Sequence, residues 1–324
     1  MMDRMEKKSY HGMVHCGDVS YANRYNKTMP DWSAQFVWDT WGQMAEPIAS
    51  RMAYMVSPGN HEVDEYESTW ENGTIYAKRF IMPGNERYYS FGVGMVHFVS
   101  VCTDEDITAT STQGVWLDRT LASINKQRHL WPWLVLFQHR PIYNSNLNHG
   151  NWTGTNNYTY NTGTEDEWVL PTYEGWPDHY ESLLLKHKVD LVLSGHVHHY
   201  ERTWPIRHRD EFTKSYDDVT SPVHITCGHG GKSLYSRTLR THEPTYGPKR
   251  PPFSASRDNK HWGHCELEFL DERRVRHKMF RMGESEVPTE DVLITKAQSG
   301  AGKMDFSVGL LVGCFSLVYT AFWR

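Results

Sequence analysis

The chain has 324 residues, 39% hydrophobic and 13% aromatic, enough for a sizeable core in one large domain or two small ones. A formal net charge of −5 and a sequence pI of 6.4 argue against a nucleic-acid binder, which would present a basic surface. Five scattered cysteines (Cys16, Cys102, Cys227, Cys265, Cys314) form no CxxC pair. They fit neither a zinc ribbon nor a dense disulfide scaffold and leave the redox compartment open.

In chain order, residues 1–8 (MMDRMEKK) lack an apolar h-region and are not a signal peptide. The apolar run Met13-Val14-His15-Cys16 leads into Gly17-Asp18-Val19-Ser20-Tyr21. Residues 33–50 read as a helix, with Phe36, Val37, Met44 and Ile48 spaced for one face. A second apolar run, 52–56, leads into Pro58-Gly59-Asn60-His61-Glu62. Residues 95–102 read as a strand and 113–127 as a helix. A third run, 133–137, ends in Gln138-His139-Arg140-Pro141. The stretch 144–175 is rich in Asn, Thr, Tyr and Gly and reads as a long loop at a site mouth. Residues 176–188 read as a helix feeding the buried strand 189–194, which ends in Gly195-His196-Val197-His198. Residues 222–227, 264–270 and 273–281 read as strands with no helix between them, hence a second, mostly antiparallel sheet. No repeat is visible.

The chemistry lies in the ends of these runs. With 19 histidines in the chain, one alone carries little weight. His196 and His198, however, are two apart on an extended segment and point the same way, as a metal-ligand pair would. Four apolar runs end in Asp, Tyr, Asn or His, and the carboxyl edge of an α/β sheet is where sites are built. Carboxylate, phenol, amide and imidazole together suit Fe, Zn or Mn rather than a thiolate metal.

These residues resemble a known family. GDxxY, GNHE, a histidine after an apolar strand, and GHxH are motifs of the purple acid phosphatases, in the calcineurin-like metallophosphoesterase superfamily. Gly17-Asp18-Val19-Ser20-Tyr21-Ala22 is similar to the family's GDLSYA, and GHVHHYER at 195–202 to its GHVHxYER. The segments 222–226, 253–257 and 262–264 resemble its C-terminal portion, so the resemblance spans roughly residues 10–282. It implies an α/β (α+β) fold, a four-layer αββα sandwich. Residues 1–282 would be the catalytic domain, with the C-terminal portion at 221–282, a linker at 283–303 and a hydrophobic tail at 304–324.

The function implied is a metal-dependent acid phosphatase hydrolysing small phosphate monoesters by attack of a metal-bound hydroxide. Its dinuclear centre would pair Fe(III) with Zn, Mn or Fe(II). On this resemblance Asp18 bridges the two ions, Tyr21 and His198 bind Fe(III), and Asn60, His139 and His196 bind the divalent ion. His61 and His149 would be catalytic, beside the phosphate and the leaving group. Asn148 stands where many plant-type members have His, which touches leaving-group protonation and substrate preference. His15, His199, His229 and His264 read as structural. The alternatives are a phosphodiesterase or nucleotide pyrophosphatase of the same superfamily, against which Tyr21 weighs, and a non-catalytic surface glycoprotein keeping the fold.

The resemblance also predicts two departures. The family's earlier GDxG-type Asp, an iron ligand on a first strand, has no counterpart in the 17 residues before Asp18, and the N-terminal β-sandwich is absent. The expectation is a truncated gene model or alternative start, a bare sheet edge, and a chain poorly active or unstable as written. Four N-x-[ST] sequons (Asn26, Asn72, Asn151, Asn157) predict a glycoprotein of the secretory pathway: extracellular, lysosomal or vacuolar, or anchored at the cell surface. Residues 306–323 carry no charge and are just long enough to span a bilayer. They predict membrane attachment, as an anchor or a GPI signal, with a buried core strand or helix as the alternative. Oligomeric state is open.

Overall fold

The computed structural model describes residues 9–25, 32–63, 73–146, 177–208, 211–234, 246, 250–284, 286–297 and 308–313. Two sheets face each other. The first contains β1 (Gly12–Cys16), β2 (Ala53–Ser57), β12 (Gly263–Phe269), β13 (Arg274–Arg281), β14 (Glu290–Thr295) and β15 (Val308–Gly313), in the order β14-β13-β12-β15-β1-β2. The second contains β3 (Tyr89–Val93), β4 (Val96–Ser100), β5 (Trp133–Phe137), β6 (Leu191–Ser194), β7 (Tyr200–Thr203), β10 (Val223–Cys227) and β11 (Ser254–Asp258). Its order is β11-β7-β10-β6-β5-β4-β3. A small hairpin, β8 (Ile206–Arg207) with β9 (Glu211–Phe212), lies apart.

Strand alternation sorts the side chains into layers, because successive residues face opposite ways. Trp133, Val135 and Phe137 of β5 join Val14, Leu267, Phe269 and Leu310 of the first sheet in the core between the sheets. Leu134 and Leu136 face the other way, onto Leu117, Leu121, Leu183 and Leu184. Those leucines belong to the helices α4 (Thr112–Asn125) and α5 (Pro177–Lys186). On the far side, α1 (Trp32–Ala49) covers the first sheet, with Ile48 packed on Met13 and Leu311. Helix, sheet, sheet, helix is the four-layer αββα arrangement.

Local signals place the helices. Ser111 caps α4, its hydroxyl accepting from Gly114 N–H at 2.9 Å. Pro177 opens α5, where its missing N–H is harmless. Two short helices, α2 (Asn60–Val63) and α3 (Thr74–Arg79), follow β2.

Four expectations change. The buried face of α1 is Trp38, Trp41, Ala45 and Ile48, while Phe36 and Met44 are exposed; the two tryptophans outbid them for the apolar contact. Residues 223–227 join the sheet of the GHVH strand, as β10 parallel to β6, rather than the antiparallel sheet. The stretch read as a linker contains β14, where the inward-facing Glu290 and the outward-facing Leu293 break the usual apolar-in, polar-out alternation. The largest change concerns the segment read as a hydrophobic tail. Within it, β15 runs parallel to β1 and antiparallel to β12, with Val308, Leu310, Leu311 and Val312 buried. The bare edge expected beside β1 is therefore not there. A strand buried on both faces reads as a continuous apolar run, which hydropathy alone does not separate from a membrane segment. Among the described residues no helix is long and apolar enough to cross a membrane. The four sequon asparagines and residues 314–324 lie outside the described residues.

Candidate metal centre

The carboxyl ends of β1, β2, β5 and β6 meet, two from each sheet. Within the sheets Cys16 is level with Ser57, and Phe137 with Leu193. His139 ties the sheets together, since its Nδ1–H donates to the Cys16 carbonyl at 2.8 Å. The approach is tight. A Cβ on Gly59 would sit 2.5 Å from Asp18 N, and one on Gly17 2.5 Å from His139 Nδ1. Asp18, Tyr21 and His196 all have positive φ (54°, 57° and 63°), which costs a non-glycine residue on the order of 1–3 kcal/mol.

The structure brings six of the eight residues singled out in the sequence into one buried cluster. Asp18 is its centre, and its two oxygens face different groups. Oδ1 lies 3.1 Å from His139 Nε2. His139 Nε2 in turn lies 3.0 Å from Asn60 Oδ1 and 3.0 Å from His196 Nδ1. Oδ2 accepts the Tyr21 hydroxyl at 2.9 Å, and that hydroxyl is 3.1 Å from His198 Nε2. A seventh, His61, flanks the Tyr21 ring at 4.1 Å between centroids, with Nε2 4.0 Å from Asp18 Oδ2. The eighth, His149, lies outside the described residues, as does Asn148. His15, read as structural, is fully buried and bonds Tyr54 through Nδ1 at 2.8 Å.

Backbone partners aim the imidazoles. His198 Nδ1 donates to the Ser233 carbonyl at 2.8 Å, leaving Nε2 toward Tyr21. With Nδ1–H of His139 committed to Cys16, its Nε2 carries a lone pair facing the oxygens of Asp18 and Asn60. Lone pairs so opposed need a proton or a cation between them. In the metal-free chain that role falls to a proton. Burial alone would lower His139, but the Asp18 carboxylate outweighs it and lifts the imidazole to about 9. Burial likewise works against the Asp18 carboxylate, and the charges of His139 and His61 outweigh it, holding Asp18 well below the usual range. The donor set and its convergence fit cations.

Several contributors escaped the sequence reading. Glu62 accepts three backbone N–H groups: Asp18 and Gly59 on Oε2 at 2.8 and 2.9 Å, and Val19 on Oε1 at 2.8 Å. It holds the loop that carries Asp18. Burial, then the charge of Asp18, push its carboxyl up to about 8 in the metal-free chain, against the pull of those donors. Glu62 is part of the GNHE segment, and an acid opening a helical turn was the available signal. Asn23 fixes His61 through Nδ1 at 2.9 Å. Arg140, held by Asp104 at 2.7 Å, places Nη1 3.0 Å from His196 Nε2. Lys232 stands over the Tyr21 ring, 4.2 Å from its centroid. Asn23, Asp104 and Lys232 carry no local pattern that marks them.

Comparisons with known proteins agree with this geometry. A family model described as calcineurin-like phosphoesterase matches residues 1–200, and one described as iron/zinc purple acid phosphatase-like protein C matches 221–288. Probable purple acid phosphatase 20 of Arabidopsis thaliana is 35% identical over 71% of this chain and 47% of its own length. Acid phosphatase type 7 of Homo sapiens is 32% identical over 68% of this chain and 48% of its own. The chain thus spans about half the length of the curated relatives it matches. The purple acid phosphatase PPD1 of yellow lupin shares the fold, with a TM-score of 0.69 and 24% identity over 100% of this chain and 51% of that one. The relatives it matches are named as acid phosphatases, and the family implies a dinuclear metal centre. By its motifs, its layers and these matches, the chain belongs to the calcineurin-like metallophosphoesterases, with a purple acid phosphatase-like C-terminal portion.

Proposed function

We propose that the chain is a metal-dependent acid phosphatase for small phosphate monoesters, working at a dinuclear centre with Asp18 as the shared ligand. The observation that carries this reading is the division of Asp18: one oxygen faces His139, the other Tyr21. Asn60, His139 and His196 would hold Zn, Mn or Fe(II), and Tyr21 and His198 would hold Fe(III). Two such cations supply charge neutralisation for the phosphoryl oxygens and a water acidified at working pH. The chain's own residues do the rest. Asp18 keeps the two halves in register. His61, its ring locked by Asn23, directs Nε2 to the side where a phosphate would sit. His149 would protonate the departing oxygen. We further propose a secretory-pathway destination, supported by the four sequons.

The test uses the full chain, because removing residues 304–324 would take β15 with them. The chain is loaded with Fe and Zn, and its metal content and its hydrolysis of p-nitrophenyl phosphate and of the bis-ester are measured. Two ions per chain and slow monoester turnover, as one iron ligand of the family has no counterpart here, both lost in Asp18→Asn, are expected. Bis-ester turnover in preference points to a diesterase. Loaded protein without turnover points to a binding role.

A further inference from the structure

We propose that Cys227, His229 and Cys265 form a second metal site, which takes a soft divalent cation such as Zn²⁺ when its thiols are reduced. Cys227 ends β10, and His229 follows two residues later, on the same side. Cys265 comes from β12 in the facing sheet, so the site lies between the sheets. All three residues are 0–1% exposed. Both sulfurs and a ring nitrogen of His229 lie within 4.8 Å of one another. His229 directs Nδ1 to Cys227 Sγ at 3.8 Å, and the Val312 carbonyl is 3.4 Å from the same sulfur.

Two sulfurs and one imidazole make a different donor set from the Asp18 centre. Thiolate and imidazole select zinc-like ions in a closed, four-coordinate site, whereas Asp18 and its neighbours are hard and borderline ligands. Apart from its approach to Cys227, the buried His229 ring is unengaged in hydrogen bonding: its Nε2 has no hydrogen-bond partner among the described residues.

In the oxidised chain the two sulfurs are joined as a disulfide, so bond and metal exclude each other. A small dithiol opens the bond. The two cysteine sulfurs gain two electrons and two protons, and the dithiol becomes its own cyclic disulfide. Cation binding then releases the two thiol protons to water. Because the site is closed to solvent, the cation enters as the sheets close.

The test is cobalt substitution in the full chain, produced in a reducing cytosol with Co²⁺ and compared with chain oxidised before loading. Sulfur-to-cobalt charge-transfer absorption reports thiolate ligation, which the Asp18 centre lacks. The band is expected in the reduced chain and absent from the oxidised chain. It should persist in Asp18→Asn, disappear in Cys265→Ser, and need about tenfold more cobalt in His229→Ala. A reduced wild-type chain with titratable thiols and no band overturns the proposal. So does a disulfide that stays closed under the dithiol, or a band that survives Cys265→Ser. The wild-type comparison decides the matter even where a variant does not fold.

Discussion

Asp18 shows how a buried carboxylate is kept ionised and held in place. Its carboxylate is buried and ionised because cationic partners surround it, and its backbone is held in a positive-φ turn by Glu62. Glu62→Ala would leave three buried N–H groups without an acceptor, at about 1–3 kcal/mol each. Lower thermal stability and metal affinity reduced by about 10–100-fold are expected, read by melting and by metal titration. Glu62→Gln keeps one carbonyl oxygen and should lose less. His139 makes a separate prediction. With its metal-free value raised to about 9, the imidazole is protonated at neutral pH, and a cation must displace that proton. Loading the apo chain at pH 7–8 should release about one proton from this residue, measurable in a pH-stat, and the release should fade as pH rises past 9. Release that does not change with pH across that range would show that His139 is not a ligand.

At the scale of elements, short apolar runs were legible and their partners were not. The periodicity of α1 and the runs of β5 and β6 are local properties, set by each segment's own spacing. Which face of α1 is buried depends on Trp38 and Trp41 meeting Val56 and Tyr76, residues remote in sequence. β15 makes the same point more strongly. It fills an interior place between β12 and β1, so truncation at residue 303 should abolish cooperative melting rather than leave a soluble catalytic domain. A single Leu311→Ala change is expected to cost about 2–5 kcal/mol, measured by denaturant unfolding. A truncated chain that melts cooperatively at the wild-type temperature would refute the interior role of this strand.

At the scale of the whole molecule, a disulfide and the His277–Tyr200 hydrogen bond join the two sheets. The Cys227–Cys265 bond closes a span of 38 residues, for which loop entropy suggests about 4 kcal/mol in the oxidised chain. Cys265→Ala should lower the melting temperature of oxidised protein much more than that of fully reduced, metal-free protein. His224 and His277 are buried and held neutral by burial, each lowered to about 3. Below the ordinary histidine value of 6.5 the unfolded chain takes up protons that these residues refuse in the fold. Stability is therefore full above 6.5 and falls as pH drops toward 3, by up to about 1.4 kcal/mol per pH unit for each. Melting temperatures of the metal-free chain from pH 7 to 4 test this, and His224→Phe should flatten the slope.

The sequence by itself marked the ligand-type residues that the structure brings together. GDxxY, GNHE, His139 and GHVH each require a short apolar strand followed by a tight turn, and that is local information. The family resemblance these motifs carry implied the layered αββα class, while the succession of strands and helices gave only two sheets with covering helices. Only the tertiary structure decided how the four strand ends are shared between two sheets, and that Asp18 turns one oxygen to His139 and the other to Tyr21. It alone placed Glu62, Asn23, Arg140 and Lys232 around the centre, paired Cys227 with Cys265, and put β15 inside a sheet. The physical reason is the same each time. Ligand-type residues declare themselves by neighbours in the chain, whereas buttressing, pairing and burial depend on contacts between segments that the chain order keeps far apart.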